Sequence, residues 1–385
     1  MKEKIIKLLL VEPISDLSGV SQYILSIIRY LPRDRFEIHV VASGNGPLFE
    51  LLKRENFFIH SLKVDYSIFS FLWAIYSFRR FLKKEKFDLI HGHTAKAGFL
   101  CCMANKGLPA KIIYTGHGFR FDQKENYLIK KIFFVFEWLI WQYSNYITVL
   151  SKTEYDFGVS NGLLDCNKAC TVSMSIDLDR FKNISSNDVE RQKVKYAIPD
   201  DAFVVGMLGR ITFQKDPETF IKVAEILNSQ VQNIYFIWVG DGDLKEKMVG
   251  MANRLGLSNK LMITGQQDSK NIPMLLSTMD VFLFTSRFEG LPIAILEAMA
   301  AKIFIVASKV NGCNELIKDN ITGWIYDIGN YKQAAAIIKN IYNNRCNLEH
   351  VRDSTYNVVV KKYSPKEKMA GQYHEIYNGI INNSA

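Results

Sequence analysis

Two glutamates eight positions apart, Glu289 and Glu297, stand in the stretch Thr285 to Ala301, TSRFEGLPIAILEAMAA. The compact apolar run before it, VFLF at 281–284, predicts a buried parallel strand. A short polar loop over 286–290 follows. Pro292 then stands near the first position of a helix, where a missing N–H costs nothing. Strand, loop and helix N-terminus make an anion site, because unpaired N–H groups and the positive end of the helix dipole point at one place. A ligand resting there meets Glu289 at one end and Glu297 at the other. A carboxylate near a helix N-terminus is expected to stay ionised and to accept hydrogen bonds from hydroxyls, so sugar or ribose suits this chemistry. Any α/β protein holds many strand–loop–helix units, and two glutamates at this spacing also arise by chance. The residues alone leave a purely structural reading open.

A second loop carries cations. Ala202 to Leu208 predicts a strand, and GRITFQKDPETFIKVAEIL follows it. Arg210 and Lys215 flank the loop; Asp216 can cap the next helix, with Pro217 at its first position and Glu218 in its first turn. Two such cations suit a diphosphate, arginine through forked bonds and lysine as a point charge. The alternative is two solvated surface charges. Three histidines, His91, His93 and His117, fall at or just after predicted strands, where open parallel sheets bind ligands. His91 and His93 are expected on opposite faces of their strand, and with no third ligand in view no metal site is expected. His117 lies between Gly116 and Gly118, which permit close backbone approach.

The segment SRFEGLPIAILEAMA resembles the E-x7-E donor-site signature of the retaining nucleotide-sugar glycosyltransferases of family 4. The resemblance implies that Glu289 contacts the donor sugar and Glu297 the ribose hydroxyls. Backbone groups at Gly290, Leu291 and Pro292 would approach the sugar and diphosphate. GRITFQK is similar to the family's G-R-x-x-x-x-K motif, which puts Gly209, Arg210 and Lys215 at the donor phosphates. Backbone near Gly265 and Gln266 would meet the base. TGHGF is similar to the family's T-x-H-G loop, so His117 is expected to hydrogen-bond the donor sugar. Gly19 would bring backbone close to the ligand, although family members often carry two glycines where this chain has Ser18-Gly19. SIDLDRF is similar to the family's N-G-(I/V)-D-x-x-x-F domain crossing, with Ser175 where Asn or Gly is commoner. The resemblance covers nearly the whole chain and is strongest in the second half.

What the family implies is an α/β chain of the GT-B arrangement, two Rossmann-like domains with parallel sheets facing a cleft. Residues 1–182 would bind the acceptor, joined by a returning C-terminal helix at 364–385, and 183–363 would bind the donor. The reaction would be hexosyl transfer with retention from a nucleotide diphosphate sugar, UDP-sugars ranking first. Arg210, Lys215 and the helix end at Pro292 would stabilise the leaving diphosphate in place of a metal ion. No cofactor, metal or nucleic-acid partner is expected, and the acceptor is a lipid-linked or free saccharide in bacterial surface polysaccharide synthesis. An epimerase or phosphorylase on the same fold, or a two-lobed binding protein without chemistry, are the alternatives.

The elements that must position these residues follow from length and pattern. At 385 residues, 48% of them apolar, two cores are the natural expectation. Strands are predicted at 4–11, 36–42, 57–62, 87–91, 111–114 and 146–151, alternating with helices, as βαβ units require. Six scattered cysteines without a C-x-x-C pair read as reduced thiols in a cytosolic protein. The start, MKEKIIKLLLVEP, reads as a first strand rather than a signal. The net charge of +9 makes an anionic membrane surface a candidate partner. Two helical stretches sharpen that idea: YSIFSFLWAIYSF at 66–78, followed by Arg79, Arg80, Lys83, Lys84 and Lys86, and YLIKKIFFVFEWLIWQY at 127–143. Neither reaches the ~20 apolar residues a span needs. They are either core helices or a face resting on the inner surface of a membrane.

Overall fold

The computed structural model describes residues 4–12, 19–42, 44, 46–62, 68–118, 127–363 and 366–382. The chain divides into two compact units, Met1–Ser175 with Lys366–Ala385, and Ile176–Pro365. The division falls earlier than the boundary expected at Lys182. The crossing segment is held by the second unit instead, where Ile176 N–H donates to Tyr363 O at 2.7 Å and Arg180 donates to Ser269 O.

In the first unit seven strands form one sheet: β1 (Ile6–Glu12), β2 (Phe36–Ala42), β3 (Phe58–Ser61), β4 (Leu89–His93), β5 (Lys111–Gly116), β6 (Tyr146–Val149) and β7 (Ala169–Thr171). Their order is β3-β2-β1-β4-β5-β6-β7, every pair parallel. In the second unit β8 (Phe203–Leu208), β9 (Ile234–Val239), β10 (Leu261–Ile263), β11 (Val281–Phe284), β12 (Phe304–Ser308) and β13 (Trp324–Tyr326) run β10-β9-β8-β11-β12-β13, again all parallel. Strands buried on both faces are unbroken apolar runs, as LLLV in β1 and VFLF in β11 are. Each sheet reverses its strand order once, between β1 and β4 and between β8 and β11. Loops on the two sides of such a reversal splay apart and leave a crevice at the strands' carboxyl ends.

The helix Lys366–Asn382 belongs with the first unit. Tyr373 and Tyr377, one turn apart, are fully buried and carry their hydroxyls into a polar network. Tyr377 Oη shares a 2.7 Å hydrogen bond with His91 Nδ1, and Tyr373 Oη bonds Tyr23 Oη at 2.8 Å and Thr148 Oγ1 at 2.9 Å. Thr115 Oγ1 completes it, 2.6 Å from both His91 Nε2 and Thr148 Oγ1. Buried hydroxyls need partners, and here each has one.

The two aromatic helices, Ile68–Glu85 and Tyr127–Tyr143, flank the helix Ala95–Asn105, where Phe99 stacks on Phe71 at 6.0 Å and meets Phe136 at a tilt at 4.9 Å. Each is core on one face and bare on another. Ala74, Phe78, Leu82, Ile140 and Trp141 are buried, whereas Trp73 is 64% and Tyr76 61% exposed, with Leu72, Val135, Phe136 and Trp138 exposed beside them. Arg80, Lys83, Lys84 and Lys86 are exposed, but Arg79 is not available to a surface: it donates to Ala104 O and Lys106 O at 2.9 and 2.6 Å, closing the end of the neighbouring helix. No helix among the described residues is long and apolar enough to cross a membrane.

Candidate active site

The loops after β8 and β11 flank the reversal point of the second sheet and are stitched to each other. Arg287 N–H donates to Gln214 O at 2.8 Å, Gln214 Nε2 to Phe288 O at 3.1 Å, and the Thr285 hydroxyl to Lys215 O at 2.6 Å. Asp216 caps the helix Pro217–Gln230 by accepting from Thr219 N–H and hydroxyl, and its Oδ1 also takes Arg287 at 2.9 Å. The Arg287 guanidinium lies 4.6 Å over the Phe213 ring. Asp216 and Pro217 thus occupy the cap positions their residue types predict.

This scaffold brings Lys215 and Glu289 together. Lys215 Nζ lies 2.5 Å from Glu289 Oε1, both side chains under a fifth exposed, and 4.8 Å over the Phe284 ring. Lys215 is therefore balanced by Glu289 and oriented by it. Gly209, at φ +154°, leaves room for the Lys215 methylenes, which would lie 3.1 Å from a Cβ there. Arg210 is exposed, and among the described residues its guanidinium makes no hydrogen bond or ion pair, while its carbonyl accepts from Thr212 N–H at 2.9 Å. Pro292 is the N-cap rather than the first residue of the helix Ile293–Ala300, and no side chain caps that helix. The N–H groups of Ile295 and Leu296 donate to Pro292 O, and those of Ile293 and Ala294 are left to a ligand or to water. Gly290 and Leu291, both buried, form the turn into it. Gly312, in the short helix Asn311–Leu316 after β12, backs that turn so closely that a Cβ would meet Gly290 O at 1.9 Å.

Glu297 departs from expectation. It sits in the second turn of that helix, but the helix end does not hold it ionised: burial pushes its carboxyl up to about 7, with Arg180 opposing at 3.6 Å. Glu289 and Glu297 thus belong to two separate pairs, one with Lys215 and one with Arg180. Gly265, at φ +71°, follows the edge strand β10 and bridges to Gly240 after β9, and Gln266 beside it is exposed.

In the first unit His117 follows β5 and is half-buried. Its Nε2 lies 3.2 Å from His93 Nδ1, and the Tyr23 ring stands edge-on to it at 5.0 Å. The expectation that His91 and His93 point to opposite faces is overturned: positions two apart on a strand share a face, and the two rings lie 4.1 Å apart. Burial holds His91 and His117 down to about 3 and His93 well below its usual range, so all three are neutral at pH 7. Neutral His117 donates through one ring nitrogen and accepts through the other. No three His, Cys, Asp or Glu side chains among the described residues are grouped to hold a metal ion. Gly19 begins the helix Gly19–Ile28 and is exposed; Ser18 lies outside the described residues.

Sequence reasoning missed Arg180, Arg287 and Gly312. Arg180 and Arg287 lay in quoted motifs, but their partners are distant in sequence. Gly312 follows Asn311 in NGCNEL, a pattern that signals a turn but not which backbone it presses on.

Residues 188–358 match the family model for glycosyl transferases group 1, and residues 17–180 match that for glycosyltransferase family 4. The chain is 28% identical over 319 residues, 81% of each chain, to an Escherichia coli UDP-Gal:alpha-D-GlcNAc-diphosphoundecaprenol alpha-1,3-galactosyltransferase. It is 22% identical over 364 residues, 93% of each, to the capsular polysaccharide biosynthesis glycosyltransferase CapM of Staphylococcus aureus. Among solved structures, Anabaena HepE in complex with UDP-glucose superposes with a TM-score of 0.85 at 18% identity, over 97% of this chain and 99% of that one. Two parallel sheets of Rossmann type, the paired cation and carboxylate loops at the reversal point of the second, and two family models that divide the chain between them lead to one assignment: the chain is a glycosyltransferase of family 4 with the GT-B fold.

Proposed function

We propose that this protein transfers a hexose from a UDP-sugar, with retention, to a lipid-linked saccharide in bacterial surface polysaccharide synthesis, at an anionic membrane face. The observation that supports the donor half is the stitched pair of loops, which pairs Lys215 with Glu289 just before an uncapped helix N-terminus, with Arg210 exposed on the first of these loops. A leaving diphosphate would gain the cations and the helix dipole, while Glu289 would orient Lys215 and meet the sugar. Glu297 would take the ribose hydroxyls, backbone at Gly265 and Gln266 the base, and His117 the donor sugar. The acceptor hydroxyl would attack on the face the diphosphate leaves, its proton passing to a diphosphate oxygen.

The uridine and lipid parts lean on the relatives. HepE is described with UDP-glucose, and the E. coli enzyme uses UDP-Gal and a diphosphoundecaprenol-linked sugar. The membrane part leans on the bare aromatic face of the two helices and the four exposed cations beside it.

The test is a screen of UDP- and GDP-sugars for thermal protection and for release of nucleoside diphosphate, without acceptor and with a polyprenyl-diphosphate sugar. Saturable protection by one UDP-sugar, slow hydrolysis, and strong acceleration by the lipid acceptor are expected. Preference for a GDP-sugar would overturn the uridine assignment. Acceptor-independent conversion to an epimer would overturn transfer, and a lack of binding to any nucleotide sugar would overturn the whole reading.

A further inference from the structure

We propose that Arg180 is a positioning residue for the nucleotide half of the donor: its forked guanidinium ties the loop that carries the base to the carboxylate that holds the ribose. This rests on the donor assignment above.

Arg180 belongs to the short helix Asp179–Lys182, just after the crossing into the second unit. One arm of its guanidinium, Nη2, donates to Ser269 O; the other, Nη1, lies 3.6 Å from Glu297 Oε1. Ser269 opens the turn Ser269–Asn271 that continues the loop holding Gly265 and Gln266. Glu297 lies on the helix Ile293–Ala300, whose uncapped N-terminus would receive the diphosphate in the donor assignment above. The two segments follow β10, at the edge of the sheet, and β11, beyond β9 and β8. No backbone ladder joins them, so their spacing depends on side chains that reach both.

The geometry suits a brace better than a surface ion pair. The Arg180 side chain is 28% exposed and that of Glu297 13%. Among the described residues the Glu297 carboxylate has no other ion-pair partner and accepts no hydrogen bond, so its side-chain oxygens are not consumed by the protein. Ligand hydroxyls can take them, provided the carboxyl is ionised. Burial works against ionisation and Arg180 works for it. A planar fork spans both targets at once, whereas an ammonium is a single point. Arg180 thereby sets both the charge of the ribose acceptor and its distance from the base loop.

The test compares wild type, Arg180→Lys, Arg180→Ala, Glu297→Gln and the Ala/Gln double variant. Calorimetry uses UDP, uridine monophosphate and pyrophosphate, alongside donor kinetics and thermal melts. Arg180→Ala is expected to weaken UDP and uridine monophosphate alike, by about ten- to hundredfold, with pyrophosphate unchanged. Donor KM should rise while kcat at saturation holds. Arg180→Lys should recover part of the affinity, and the double variant should lose no more than Glu297→Gln alone, because the two residues act as one unit. Unchanged UDP affinity in Arg180→Ala, or equal loss for pyrophosphate, overturns the proposal. If Arg180→Ala does not fold, Arg180→Lys decides: wild-type KM and affinity overturn it. A wild type that binds none of the three ligands defeats the donor assignment instead.

Discussion

Alanine in place of Gly312 should cripple the enzyme through a residue that touches no substrate. An alanine Cβ would lie 1.9 Å from Gly290 O, 2.8 Å from Gly290 C and 2.9 Å from Pro292 Cδ. All three atoms belong to backbone or to a proline ring, so no flexible side chain can give way. Real Cβ contacts hardly occur below 3.0 Å, so the Gly290 carbonyl must retreat by at least about 1.1 Å. That movement passes into Leu291 and Pro292 and hence into the N-terminus of the helix Ile293–Ala300. A misplacement of about 1 Å in a positioning element costs on the order of a hundredfold in rate. The overpacking itself costs about 1–3 kcal/mol of stability. The assay is kcat/KM for UDP release, with UDP calorimetry and a thermal melt on the same preparation. Gly371→Ala, on an open face of the helix Lys366–Asn382 with nothing within 4 Å, is the control and should keep wild-type activity. Retention of kcat/KM within about threefold in folded Gly312→Ala would refute the claim that this glycine sets the turn through Gly290 and Pro292 on which the proposed activity depends.

Glu297→Ala should weaken UDP binding by about 1–3 kcal/mol, since the carboxyl acceptor for ribose hydroxyls is lost, whereas Glu289→Ala should reduce turnover more than UDP affinity. Equal effects in calorimetry would sink that division of roles. Glu137 is buried in the first unit, where Tyr114 Oη donates to it at 3.0 and 3.1 Å, and burial raises its carboxyl from 4.5 to about 7. The folded value exceeds the unfolded one, so its stability contribution is full below about 4.5 and is lost as pH rises through about 7. Glu137→Gln should therefore gain on wild type between pH 5 and pH 8.5, by roughly 3 kcal/mol at most, read as the difference in melting temperature. A gap that stays flat or narrows with pH contradicts this. Reversing Arg80, Lys83, Lys84 and Lys86 to glutamate, with Arg79 left in its capping role, should abolish salt-sensitive co-sedimentation with anionic vesicles and leave UDP binding intact. Each charge is worth about 1 kcal/mol near such a surface. Wild type that never sediments at low salt removes the membrane from the proposal.

Much of the frame was legible because it is local. The strands expected at 36–42 and 111–114 announce themselves through their β-branched residues, Ile38, Val40 and Val41 in one and Ile112 and Ile113 in the other, and Asp216-Pro217 announces a helix start, since cap chemistry is decided within four residues. The two loops at the reversal point of the second sheet were legible because their motif residues are close in sequence. What pairs them was not. Lys215 meets Glu289 across 74 positions and Arg180 meets Ser269 across 89, and no periodicity reports such a meeting. The ionisation of Glu297 was misjudged for the same reason: a helix N-terminus is visible in sequence, but the burial that outweighs it is not. The aromatic helices could not be assigned to core or surface because each is both.

The polar network around Tyr373 and Tyr377 has a consequence for synthesis on the ribosome. The first sheet is complete once residue 175 has emerged, yet the helix that partners His91, Tyr23, Thr115 and Thr148 begins at residue 366. At translation rates of 5–20 residues per second, the intervening chain takes about 10–40 s to arrive. Throughout that interval the nascent first unit carries open hydroxyl and imidazole groups and an uncovered apolar seam along the helix Gly19–Ile28. The second unit, whose own elements are contiguous, can close first. The unit whose strands are made first is therefore the one completed last.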